Sequence, residues 1–240
     1  MEEKRLSLGE HLEELRRRVI RSLIIIAGCV ITAFVFHEQF MRIICKPHFD
    51  TMSSKLKILA YPEGFIVPFK ASLVAGLIIA APYILYQVWE FIKAGLYPRE
   101  RKYVLLYALF SLFLFSAGVL FGYFIFIPMC LKILYKFIDP NLFEPAIRLN
   151  DYFSLFIMLT LMLGLVFEIP LVMLFLTQLG LVSPKSYLTH YKIIIIGSFV
   201  LGAMITPDGN PLNQTMVAGL LLSLYAVGVT LSFLIFRKQR

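Results

Sequence analysis

Charge is scarce in this chain. Only 16% of its 240 residues are Asp, Glu, Lys or Arg, while 59% are hydrophobic; soluble domains carry roughly 25% charge. That deficit excludes an ordinary water-soluble fold. Cysteine is also sparse: Cys29, Cys45 and Cys130 are an odd, widely spaced set. No metal site or disulfide framework follows from them, although a Cys45–Cys130 bridge stays open. The interiors of the long apolar blocks lack aspartate, and His11, His37, His48 and His190 all fall at or beyond block ends. An intramembrane protease needs a Ser/His pair, two aspartates or a metal within the bilayer, so that class is excluded. No glycine-rich nucleotide-binding loop exists, and no cofactor is expected. The first apolar run follows Glu2 and Glu3, ends near Phe36 and lacks a small-residue cleavage site. It reads as a retained span, not a signal peptide. Finally, no repeat relates the two halves, which weighs against an alternating-access transporter.

What is present is length without charge. The stretch YVLLYALFSLFLFSAGVLFGYFIFI (103–127) runs 25 residues without a charged side chain, enough to cross a hydrocarbon core of about 30 Å. The pattern predicts an all-α integral membrane protein, because a lone apolar segment in lipid must satisfy its own backbone. Six spans fall near 19–36, 69–92, 103–127, 152–177, 193–206 and 213–236, forming one polytopic domain over 1–240. Residues 1–18 form an amphipathic lead-in. The fifth span is short, IIIIGSFVLGAMI (193–205), and the sixth could be short as well. Pro82 and Pro170 lie inside spans 2 and 4, where kinks are expected. The segments 37–68 and 128–151 are long enough to form ordered caps.

Orientation follows from the basic residues. With both termini on one side, that side carries fifteen Lys and Arg against eight opposite, which places the termini in the cytoplasm. The net charge of +8 therefore belongs to a membrane surface. No separate basic and aromatic module suggests nucleic acid.

The cytoplasmic rim carries acids as well as bases. Ser7-Leu8-Gly9-Glu10 fits a capping box that starts a helix at Ser7. Leu8, Leu12, Leu15 and Val19 then share an apolar stripe, with Glu10, Glu14, Arg17 and Arg21 opposite. Glu13–Arg17 and Glu14–Arg18 have the spacing of ordinary helical ion pairs, worth about 0.2–0.5 kcal/mol each. A second rim segment, LYPRERKYV (96–104), repeats the design. Pro98 suits a first helical turn and Glu100 would complement the helix dipole there. The alternative is functional: two carboxylates held among arginines could clamp guanidinium groups through charge-assisted, bidentate bonds.

The segments HLEELRRR (11–18), LYQVWEFIKAGLYPRER (85–101), FEIPLV (167–172) and TPD (206–208) with Gln214 resemble the TatC family in order, spacing and placement. The likeness covers essentially the whole chain. It implies a non-enzymatic receptor and core subunit of the twin-arginine system, exporting folded proteins across the bacterial inner membrane on the proton-motive force. Implied partners are twin-arginine signal peptides, single-span TatA/TatB-type subunits and further copies of the chain. By the same resemblance Glu100 is the main receptor for the paired arginines, and Glu14, Arg16, Phe91 and Arg101 share its patch. Glu168, the one acid deep in a span, becomes an intramembrane contact for partner helices; its plain reading is a neutral residue at a proline kink. Pro47, Asp208 and Gln214 match outer-side positions, with a cap proline and a turn aspartate as the plain readings. Departures from the family are Ala94 in place of a usual proline, the extra acid Glu90, and the insertion DGNP beside Asp208. A solute transporter built around Glu168 is the competing function.

Overall fold

A computed structural model describes residues 8–52, 55–96, 101–136, 147–206 and 210–236. Ten α-helices account for most of them: α1 Leu8–Val35, α2 His37–Thr51, α3 Glu63–Ala94, α4 Val104–Phe121, α5 Ile127–Lys136, α6 Leu149–Val166, α7 Ile169–Gln178, α8 Pro184–Thr189, α9 Tyr191–Ile205 and α10 Pro211–Phe236. Among the described residues there is no strand, only a parallel bridge between Lys57 and Arg148.

Among the described residues, five helical stretches are long and apolar enough to cross a membrane: Gly9–Val35, Glu63–Ala94, Arg101–Lys136, Leu149–Gln178 and Pro211–Ile235. The fifth expected span is α9, only 15 residues long, or about 22 Å at 1.5 Å per residue. Shortness is confined to it. The last span has 26 residues, which corrects the allowance for a short sixth. The third runs beyond its expected end at 127, since α4 continues through a π-helical turn at Gly122–Phe126 into α5. The expected start at Ser7 lies outside the described residues.

The residues group into two compact units, Met1–Ile43 with Gly64–Phe113, and Ile44–Glu63 with Leu114–Arg240. In the first, α1 and α3 run antiparallel. Their contacts descend one helix as they climb the other: His11 on Phe91, Arg18 to Gln87, Val30 against Gly76, Phe34 near Phe65. Gly76 is required at the crossing, because a Cβ there would sit 2.7 Å from the Val30 Cα. Near the end of α3, Trp89 is buried and stacks on Tyr107 of α4 with centroids 5.2 Å apart.

The second unit is built on an antiparallel crossing of α4 and α6. Gly118 faces the Leu163 carbonyl, Gly164 faces the Phe115 ring, and Gly122 faces Thr160 and Leu163. Small residues let helix backbones approach where lipid offers no hydrophobic drive for association. At Pro170, where a kink was expected, the helix is interrupted: α6 stops at Val166, Phe167 and Glu168 form a turn, and α7 starts with the proline in its first turn. A proline lacks the N–H that a continuing helix would need. Pro82, by contrast, lies inside an α3 that continues past it. At the end of α7, Gly180 takes φ +69°, and Leu181 N–H returns to the Leu176 carbonyl at 3.1 Å, a left-handed C-terminal cap.

The 37–68 segment is ordered as expected. It folds into α2 and then a strand-like run in which Lys57 N–H bonds the Ile147 carbonyl and Leu149 N–H bonds the Lys57 carbonyl, both at 2.9 Å. Arg148 Nε donates to Glu63 Oε1 at 2.5 Å beside this run. Tyr152 Oη donates to the Ile44 carbonyl at 2.6 Å. None of the three cysteines forms a disulfide, so Cys45 and Cys130 are not bridged.

Candidate functional site

The N-terminal end of α1 and the C-terminal end of α3 bring the rim residues together. Helical periodicity alone puts Glu10, Glu13, Glu14, Arg17, Arg18 and Arg21 on one stripe of α1. They line a hollow of about 330 Å³. On α3, Gln87, Glu90 and Phe91 are spaced i, i+3 and i+4, hence also on one face. The antiparallel packing sets these two faces against each other.

The centre of the site is a guanidinium. Arg18 donates from Nε and Nη2 to Glu14 Oε1, at 3.0 and 2.5 Å, and from Nη1 to Gln87 Oε1 at 2.8 Å. Glu90 Oε2 stands 4.0 Å from Nη2, and its other oxygen pairs with Lys93 at 2.8 Å. Gln87 is buried and donates from Nε2 to the Tyr83 hydroxyl oxygen at 2.6 Å, which leaves its carbonyl oxygen turned to Arg18. Glu90, the extra acid noted as a departure from the family, therefore joins the network.

Phe91 stacks on His11 with centroids 4.4 Å apart and planes 22° from parallel. The pair gives the site a flat aromatic wall beside its acids. Arg16, on α1, is exposed. Arg101 opens a 3-10 turn at Arg101–Tyr103 and donates from Nε to the Leu96 carbonyl at 3.1 Å. A cation on a carbonyl just past a helix C-terminus is favourable. Glu100 lies outside the described residues. Glu14, Phe91 and Arg101 thus share the first unit with Arg16, and the geometry adds Gln87, Arg18, Glu90 and His11. Gln87, Arg18 and His11 were not among the residues expected at the site; the signal for Gln87 was its i, i+3, i+4 spacing with Glu90 and Phe91, and Arg18 and His11 lie within the HLEELRRR segment.

The remaining candidates belong to the second unit. Glu168 sits half-buried at the α6–α7 break. Its backbone carbonyl accepts from Val172 N–H at 3.0 Å and its own N–H reaches the Leu165 carbonyl at 3.1 Å. Its carboxylate does not cap α7, so the acid is not there to close the helix end. Pro47 is buried within α2. Gln214, in the first turn of α10, donates from Nε2 to the Phe199 carbonyl at 3.1 Å and ties α9 to α10. Gly202 makes that approach possible, since a Cβ there would lie 2.9 Å from the Gln214 carbonyl oxygen. Asp208 lies outside the described residues. No group of three or more His, Cys, Asp or Glu able to hold a metal occurs among the described residues.

The family model for Sec-independent protein translocase protein (TatC) matches residues 10–219. The chain belongs to the TatC family. Two relatives bearing the name Sec-independent protein translocase protein TatC are alike over nearly the whole chain. That of Koribacter versatilis is 36% identical over 242 residues, covering 99% of this chain and 89% of its own length. That of Carboxydothermus hydrogenoformans is 32% identical, covering 100% and 98%. A crystal structure of TatC in DDM, described as the twin-arginine translocase receptor, superposes with a TM-score of 0.86 at 35% identity, covering 93% of this chain and 99% of the other. TatC relatives are components of a protein transport machine, and this chain is a multi-pass membrane protein of that family.

Proposed function

We propose that this TatC-family chain is the receptor and core subunit of a twin-arginine translocase, acting as one membrane domain. It binds twin-arginine signal peptides at a cytoplasmic face, organises single-span partner subunits and further copies of itself, and exports folded proteins across the bacterial inner membrane on the proton-motive force. Both termini face the cytoplasm, where the basic rim lies. The proposal rests on one observation above all. The junction of α1 and α3 holds a guanidinium between Glu14 and Gln87, with Glu90 and an aromatic wall nearby. That is the donor-acceptor chemistry an arginine pair requires. The name borne by the solved relative, a twin-arginine translocase receptor, supports the same reading.

Within this proposal Glu14 and Glu100 are the carboxylates that read the two arginines. Phe91 packs the side-chain stems or stacks on a guanidinium, while Arg16 and Arg101 belong to the basic surround of these acids. Glu168 offers a polar contact to partner helices, because an acid at membrane depth favours a polar partner over lipid. Pro47, Asp208 and Gln214 shape the outer side.

Peptide binding to the chain in lipid nanodiscs tests this. Glu100→Gln and Glu14→Gln should each weaken a twin-arginine peptide by roughly tenfold, since a hydrogen bond to a charged group is worth about 1.5–3 kcal/mol. A twin-lysine peptide should bind weakly throughout. Equal binding of both peptides, before and after the changes, would overturn the clamp. Photocrosslinking from Glu168 should capture single-span partners; a crosslink to lipid alone would remove that role.

A further inference from the structure

The receptor site already contains an arginine, and that arginine is the chain's own. Arg18 is only 18% exposed, which is low for a residue on the polar stripe of a surface helix. A plain helical ion pair would need Glu14 alone. Here acceptors converge from two helices: a carboxylate on α1 engages one edge of the guanidinium, and a buried amide on α3 engages the other. Gln87 is held in that orientation by Tyr83. Two edges filled at once by acceptors of fixed direction describe a socket for a planar fork, which an ammonium cannot copy.

We infer that Arg18 is an internal pseudo-ligand, occupying the Glu14–Gln87 socket at rest and displaced by one arginine of the incoming signal peptide. The inference builds on the receptor function proposed above. Its physical logic is exchange. Replacing one guanidinium with another leaves the local charge unchanged and never strands the buried Gln87 oxygen without a donor. A lysine could neutralise Glu14 but would leave Gln87 Oε1 unsatisfied, so its entry is disfavoured. Arg18 thereby sets specificity: the socket opens only to a group that replaces all of its bonds. The released side chain has somewhere to go, since it borders the same open hollow as Glu10 and Glu13. Resting occupancy also weakens every ligand by the fraction of time the socket stands open.

The test uses the full chain in nanodiscs with fluorescent twin-arginine and twin-lysine peptides. Arg18→Gln removes the occupant and should tighten twin-arginine binding by about two- to tenfold, with less gain for twin-lysine. Arg18→Lys, which satisfies Glu14 but not Gln87, should fall between wild type and Arg18→Gln. Unchanged or weaker twin-arginine binding by a folded Arg18→Gln chain would overturn the inference and leave the receptor function standing. A wild-type chain with no arginine preference would remove both. Should Arg18→Gln not fold, wild-type chain labelled with ¹⁵N at arginine Nε gives the answer. The Arg18 Nε–H signal, assigned from Arg18→Lys, must move on titration with twin-arginine peptide and stay with twin-lysine. An Arg18 signal unmoved by a bound twin-arginine peptide overturns the inference.

Discussion

Replacing Gly118 with alanine should destabilise the protein although alanine is the better helix former. An alanine Cβ at 118 would lie 2.5 Å from the Leu163 carbonyl oxygen and 2.9 Å from the Gly164 Cα. Both obstacles are backbone, so no rotamer change relieves them. Ordinary contact begins at 3.4 Å; α4 and α6 must therefore separate by about 0.9 Å at this crossing. A radial gap of roughly 0.5–1 Å forfeits a quarter to a half of the dispersion energy of the atoms it separates. Buried Phe115, Leu159 and Leu163 lie along that seam. Overpacking of this kind costs about 1–3 kcal/mol, against which improved helix propensity returns at most about 1 kcal/mol. At the middle of that range, about 2 kcal/mol, the net loss is about 1 kcal/mol, a fall in Tm of roughly 2–4 °C for a chain of this size. Gly197→Ala is the control: its Cβ meets nothing within 4 Å, so Tm should hold or rise. Thermal unfolding in detergent, followed by gel filtration, measures both. A Gly118→Ala chain that melts with wild type would refute the claim that this crossing is closed to a methyl group.

Two more outcomes follow from the second unit. Arg148→Met should cost about 1–3 kcal/mol, below the 3–5 of a fully buried pair because Arg148 is partly solvated; it strands Glu63, whose side chain is 4% exposed. Adding Glu63→Gln should recover most of the lost Tm, and a double variant no better than the single one would deny the pairing. Burial pushes the Cys45 thiol up to about 11, so the folded state disfavours the thiolate. Stability tied to this group is complete below the ordinary value of 9.0 and declines as pH rises through 11. Maleimide labelling of Cys45 should be negligible at pH 7.5 in the folded chain and rapid after denaturation; equal rates in both would show an accessible thiol.

Much of the architecture was legible because lipid leaves the backbone few choices. Apolar length alone located the five long apolar helices and the shorter apolar helix α9. Pro170 announced the α6–α7 break, since a missing N–H is a local property. Pro82 did not interrupt α3, because a helix inside a bundle can absorb the lost bond while a proline beside a polar turn ends one. The candidate site was legible in part. Phe91 and Arg101 were placed beside Glu14 by the family resemblance, while Glu14 itself stood out as an acid among bases at the rim. Gln87 did not, being an uncharged residue in an apolar block with no local mark of its partner.

Sequence by itself decided that this chain is a multi-pass membrane protein, where its long apolar helices run, and which family it belongs to, because each depends on local composition or on motif order. Tertiary structure decided what those motifs do to one another. Only the antiparallel pairing of α1 and α3 sets Gln87 and Glu90 against Arg18 and Glu14, four positions separated by about seventy residues of chain. Only the glycine crossings at 76 and 118 fix how closely the helices meet. Contacts of that range depend on packing, and packing is a property of the whole fold and not of any segment.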